Sequence, residues 1–86
     1  MERPWVSSPS YKAAIDILVD IRKAKGLTQR DLGERIGKPH SFIAKIETRQ
    51  RRLDIVEFIV LARALDFEPS NLIALLAASL IDPVVF

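Results

Sequence analysis

The side chains best able to do chemistry are concentrated between residues 38 and 52, where Lys38, His40, Ser41, Lys45, Arg49, Arg51 and Arg52 stand close together. Such a set offers hydrogen-bond donors and positive charge, the chemistry of holding a polyanion. It does not offer catalysis. No nucleophile stands beside a base, no glycine loop could cradle a phosphate, and no carboxylate pair falls in a plausible cleft. No catalytic residue is therefore assigned, and the chain is not expected to be an enzyme. His40 is the sole histidine, and cysteine is absent. One histidine cannot assemble a zinc site, so no metal is expected, nor any other cofactor, and disulfides are excluded.

The charge is unevenly spread. Residues 1–27 hold five Lys/Arg and three Asp/Glu, a net +2. Residues 28–53 hold seven and three, a net +4, and residues 54–86 hold one and five, a net −4. A basic middle and an acidic, apolar end fit two tasks, one facing a polyanion and one facing protein. A chance imbalance on a solvated surface accounts for the charge equally well.

The elements that must position these side chains read as helices. The 86 residues suffice for one domain, and 49% apolar with 28% charged content suits a compact fold over disorder. Residues 1–9 read as an irregular arm in which Trp5 and Val6 are apolar. Ser10 is placed to cap a first helix, whose stripe is Ala14, Ile17, Leu18, Ile21 and Ala24 and whose stop is Gly26. Thr28 and Asp31 form a capping box for a second helix, with Leu27 and Leu32 at staple positions. That helix ends at Gly37 after barely two turns. A third runs from about Pro39 to Glu47 with Ile43 and Ile46 inward. Asp54 and Glu57 cap a fourth, flanked by Leu53 and Phe58, with Ile55, Phe58, Ile59, Ala62 and Leu65 as its inner stripe. Pro69 opens a fifth, apolar nearly all round from Leu72 to Ile81, which Pro83 ends. No segment alternates with period two, so no sheet is expected.

Two short helices joined by a tight glycine turn are the helix-turn-helix pattern. Gly33 is small where the second and third helices meet, and Gly37 supplies a left-handed turn. The run from Gly26 through Leu27, Thr28, Gln29, Arg30, Asp31, Leu32, Gly33, Glu34, Arg35 and Ile36 to Gly37, followed by Ile43, Ile46 and Glu47, resembles the phage-repressor and Cro type, also called the XRE family. The resemblance covers roughly residues 15 to 73. It implies an all-α, five-helix, lambda-repressor-like DNA-binding domain, here with an extended C-terminal helix. Two departures stand out: Pro39 where the family often has Ser or Thr, and Gly33 where it usually has Ala. The boundaries read as an arm over 1–9, a domain over 10–82 with its helix-turn-helix at about 28–47, and a tail over 83–86. The resemblance further implies that Gln29 binds backbone phosphate and braces the recognition helix, and that Arg22 and Glu47 form an internal ion pair.

Within that pattern, Ser41, Lys45 and His40 share the exposed face of the third helix and are expected to read base edges in double-stranded DNA, against the alternative of plain solvated surface. Phe42 either packs on thymine methyls or folds back over the fourth helix. Arg49, Arg51 and Arg52, and more weakly Lys38, are placed to meet phosphate. The fifth helix has one face too many for a small domain. Leu72, Leu75, Leu76 and Leu80 are expected to bury it in a homodimer, unless the arm around Trp5 or the tail around Phe86 covers it.

The expected function is sequence-specific transcriptional regulation, as a repressor on a palindromic operator. The alternatives are a protein-interaction module on the same fold, or an antitoxin-type autoregulator that also binds a partner protein. Phage repressor, antitoxin and controller of a neighbouring gene all remain open. No room is seen for a separate ligand-sensing domain, so no small-molecule effector is expected. The amino terminus lacks the apolar run of a signal peptide, and the longest apolar stretch falls short of the ~20 residues that cross a bilayer. No membrane contact is therefore expected, and the site of action is expected to be cytoplasmic.

Overall fold

Five helices follow one another along the chain: α1 (Pro9–Ala24), α2 (Gln29–Ile36), α3 (His40–Glu47), α4 (Ile55–Ala64) and α5 (Pro69–Ser79). This is a computed structural model, and it describes residues 8–80 and 83–84. Among these residues there is no strand. The contacts expected of Trp5 and Phe86 lie outside them. No helix among the described residues is long and apolar enough to cross a membrane.

Each helix start follows from local chemistry. Thr28 Oγ1 accepts the Asp31 amide at 3.0 Å, and Asp31 accepts the Thr28 amide at 2.9 Å. Asp54 and Glu57 repeat the exchange at the start of α4, at 2.7 and 3.1 Å. The start of α1 differs from expectation. Ser8 is the cap, accepting the Tyr11 amide at 3.1 Å, and Ser10 lies inside the first turn. Pro9 explains the shift, since proline at the first helical position gives up an amide that would have no partner anyway.

The ends of the first four helices share one closure. After α1, Gly26 donates to Lys23 and Leu27 to Arg22; after α2, Gly37 donates to Glu34 and Lys38 to Gly33. The pattern recurs after α3, where Arg49 donates to Ile46 and Gln50 to Lys45, and after α4, where Asp66 donates to Arg63 and Phe67 to Ala62. This is the Schellman arrangement, which needs one left-handed residue. Gly26 and Gly37 supply it at φ 72° and 70°, whereas Arg49 and Asp66 adopt φ 61° without glycine's freedom.

The core gathers Ile15, Leu18, Leu32, Ile43, Ile46, Leu61, Ala62, Leu65 and Leu72. At about 1.5–3 kcal/mol per fully buried large side chain, these residues are the main source of stability. Four expectations are corrected here. The buried stripe of α1 is Ile15, Leu18 and Arg22, while Ile17 is half-buried and Ala24 exposed. Ile55 is 79% exposed, because the first residue of α4 points away from the core, and Leu61 takes the inner place. Leu72 is fully enclosed by its own chain, so it has no surface to offer a partner. α5 also stops at Ser79, with Leu80 already extended.

Candidate nucleic-acid interface

The turn between α2 and α3 is unusually close. A Cβ on Gly33 would lie 2.6 Å from the Lys38 carbonyl oxygen and 3.4 Å from the Pro39 carbonyl. The glycine thus lets the chain fold back directly against α2. Its contact is with the turn rather than with α3 itself. Pro39 then serves as the extended residue before α3, without a side-chain cap.

α3 is fixed from its inner side. Ile43 and Ile46 enter the core. Glu47 receives Arg22 Nε at 2.6 Å and Arg22 Nη2 at 2.9 Å, and its Oε1 also accepts Gln29 Nε2 at 2.9 Å. Arg22 Nη1 donates in addition to the Leu27 carbonyl at 2.7 Å. One carboxylate therefore ties α1 and the first residue of α2 to the end of α3.

The outer side of α3 is open. His40, Ser41 and Lys45 are exposed and Ala44 is half-buried. Ser41 and Lys45, four residues apart, stand one above the other, as do His40 and Ala44. His40 also borders a shallow polar hollow with Arg22, Lys23, Gly26, Leu27, Thr28, Gln29 and Arg30. Lys23 and Arg30 thus join the basic surface near α3. Sequence spacing did not single them out, because they precede α3 by ten residues or more and meet it only in the fold.

In the loop after α3, Arg51, expected to meet phosphate, is tied to a neighbour while 39% of its side chain stays exposed. Its Nη1 and Nη2 donate to the two carboxylate oxygens of Glu57 at 2.7 and 2.6 Å, and its guanidinium carbon lies 4.6 Å from the centre of the Phe42 ring. The reason is the capping box: Glu57 is already held at the start of α4, facing the loop. The Arg51 hydrogen bonds hold the Glu57 carboxyl below the usual glutamate range, with burial opposing. Phe42 folds back over α4, sharing a small hollow with Ile36, Lys38, Val56, Glu57 and Val60. Lys38 Nζ lies 5.4 Å from the same ring. Arg52 is exposed, 6.0 Å from the Tyr11 ring, and Arg49 is half-buried. The Tyr11 hydroxyl accepts the Leu53 amide at 3.3 Å, and burial raises its pKa.

Bordering the Leu53–Asp54 end of this loop lies an apolar groove of about 530 Å³, walled by Tyr11, Ala14, Leu18, Phe58, Ile73 and Leu76, with Ile55 on its rim. Of the leucines expected at a dimer surface, Leu75 and Leu80 are exposed and Leu76 is half-buried. Ile73, at 53% exposure, takes the place of Leu72.

Residues 18–72 match the profile of the helix-turn-helix family. The chain belongs to the XRE-type helix-turn-helix family. It is a DNA-binding transcriptional regulator of that family. The XRE regulator is similar to a solved XRE-family-like protein from Pseudomonas syringae pv. tomato, at 40% identity and TM-score 0.75 over 80% of this chain and 84% of that one. It also resembles the restriction-modification controller protein C.AhdI from Aeromonas hydrophila, at 35% identity and TM-score 0.66 over 72% and 94% of the two chains. The clp gene regulator ClgR of C. glutamicum, 19% identical with TM-score 0.72 over 85% and 95%, shares the fold alone. Among curated proteins none matches this chain.

Proposed function

We propose that this XRE regulator is a homodimeric repressor that reads a palindromic operator through α3. The observation that carries the reading is the two-sided character of α3. Its inner side is pinned by Ile43, Ile46 and Glu47, while His40, Ser41 and Lys45 face outward beside a basic surface. A rigid helix with a polar, exposed face is what entry into the major groove requires. In this reading Gln29, Lys38, Arg49 and Arg52 flank the helix and hold phosphate, joined by Lys23 and Arg30.

The apolar surface around the groove supports assembly. Ile73 and Leu76 lie one turn apart on α5 and line the groove, and the exposed Leu80 follows the helix end. A two-fold dimer would cover this surface and present two copies of α3 to successive turns of DNA. The likeness to C.AhdI favours the controller variant of this role, governing a neighbouring gene, over the phage-repressor and antitoxin variants.

Selection of bound sites from random duplex DNA tests the reading. The expected product is a palindrome with half-sites about one helical turn apart. Recovery of no preferred sequence would refute it. Light scattering on wild type should give about twice the 9.7 kDa monomer mass, and Ile73→Glu should return it to the monomer. A monomeric wild type would remove the dimer from the proposal.

A further inference from the structure

Phe42, Arg51 and Glu57 come from three different parts of the fold. Phe42 belongs to α3, Arg51 to the loop that follows, and Glu57 to the first turn of α4. They meet in one stack. The guanidinium lies 4.6 Å from the ring centre, and its two terminal nitrogens reach both oxygens of Glu57 at 2.7 and 2.6 Å. Arg51 Nη1 also donates to the Arg52 carbonyl at 3.0 Å, which pins the loop backbone. Glu57 cannot swing away freely, because it also accepts the Asp54 amide at 3.1 Å.

A planar fork matched to a carboxylate and laid on an aromatic face is a geometry that lysine cannot copy. It is also less available to phosphate: the carboxylate neutralises the charge that would attract DNA, and three of the five N–H donors of Arg51 are already engaged by Glu57 and Arg52. We propose that Phe42, Arg51 and Glu57 form a clamp that sets the pose of α3 against α4, so that Arg51 is a positioning residue and touches no phosphate. The inference rests on α3 being the reading helix.

The clamp makes a counter-intuitive prediction for Glu57. Removing a negative charge beside DNA should strengthen binding if electrostatics alone acts. Removing a clamp member should weaken discrimination instead. The test compares wild type with Arg51→Ala, Arg51→Lys, Glu57→Gln and Phe42→Leu on two duplexes: the one recovered by selection, and a random sequence of equal length. Affinity is measured across a potassium chloride series, with circular dichroism and thermal unfolding as controls for folding.

Arg51→Ala and Glu57→Gln should each lower the preference for the selected duplex by roughly threefold or more, with the salt slope of Arg51→Ala unchanged. Phe42→Leu should move in the same direction. Arg51→Lys, which keeps charge but not the fork, should fail to restore preference. A fall of about 0.9 in the slope with Arg51→Ala would make Arg51 a phosphate ligand and overturn the clamp. Stronger binding by Glu57→Gln, or equal loss on both duplexes, would overturn it as well. Failure of the DNA reading itself is separately visible, since wild type would then recover no preferred duplex.

Discussion

Arg22 and Glu47, 25 residues apart in the chain, face each other through hydrogen bonds of 2.6 and 2.9 Å and are almost enclosed, with side chains 8% and 10% exposed. Two opposite charges at this depth neutralise one another; either alone is left without compensation. Arg22→Ala should therefore destabilise the fold by about 3–5 kcal/mol in urea unfolding. Replacing both partners with Met and Leu should cost much less. Similar losses in the single and double variants would show that the pair adds little coupling.

Lys45 stands exposed in the last turn of α3, one turn beyond Ser41. Lys45→Ala should weaken binding to the selected duplex by about 1–3 kcal/mol and relax preference at one base pair. Equal weakening on every sequence would make it a phosphate contact.

Arg49 holds φ 61° at the closure of α3, a conformation that costs a side-chain-bearing residue about 1 kcal/mol. Arg49→Gly should raise the unfolding temperature and lower affinity for random DNA together. A gain in stability with undiminished DNA affinity would remove Arg49 from the interface.

Gly33→Ala sets two effects against each other. Helix propensity favours alanine by about 1 kcal/mol. The new Cβ, however, would sit 2.6 Å from the Lys38 carbonyl oxygen, a backbone atom that moves only with the turn. Overpacking of this kind costs about 1–3 kcal/mol. The variant should be less stable in thermal unfolding, although alanine is the family's usual residue here. A more stable variant would mean that the turn yields easily.

Glu57 titrates below the ordinary glutamate range because Arg51 donates to it. A depressed pKa contributes stability at neutral pH that is lost on acidification. The loss should begin as pH falls through the ordinary glutamate range and end below it, once the folded-state carboxyl is protonated. Across that window wild type should lose more stability than Glu57→Gln. Parallel losses in the two proteins would assign the acid sensitivity elsewhere, for instance to Asp31, which is also shifted down, chiefly by the Thr28 amide.

Features set by local chemistry could be read from the residues in advance. The boxes at Thr28 and Asp54 and the left-handed Gly37 each involve neighbours within a few positions, and each is present. The inner sides of α2 and α3 were legible too, because Leu32, Ile43 and Ile46 follow helical spacing between polar neighbours. Periodicity failed where a helix is apolar on several sides. In α4 and α5 it could not choose among Ile55, Leu61, Leu72 and Ile73, since tertiary packing alone decides which side turns inward. The pairing of Arg51 with Glu57 was hidden for a different reason. It depends on Glu57 being held six residues later, and charge counting treats every arginine in a loop alike.

The two-sided construction of α3 has a consequence for how such a regulator acquires new targets. Arg22 and Gln29 bind Glu47, and the core holds Ile43 and Ile46, whereas His40, Ser41 and Lys45 stand exposed on the opposite side. Exposed substitutions away from such ties usually change stability by no more than ~0.5 kcal/mol. On the proposed reading, the DNA address is rewritable at these three outward positions while the frame that aims it stays untouched, so a duplicated copy could diverge to a new operator without first solving a folding problem.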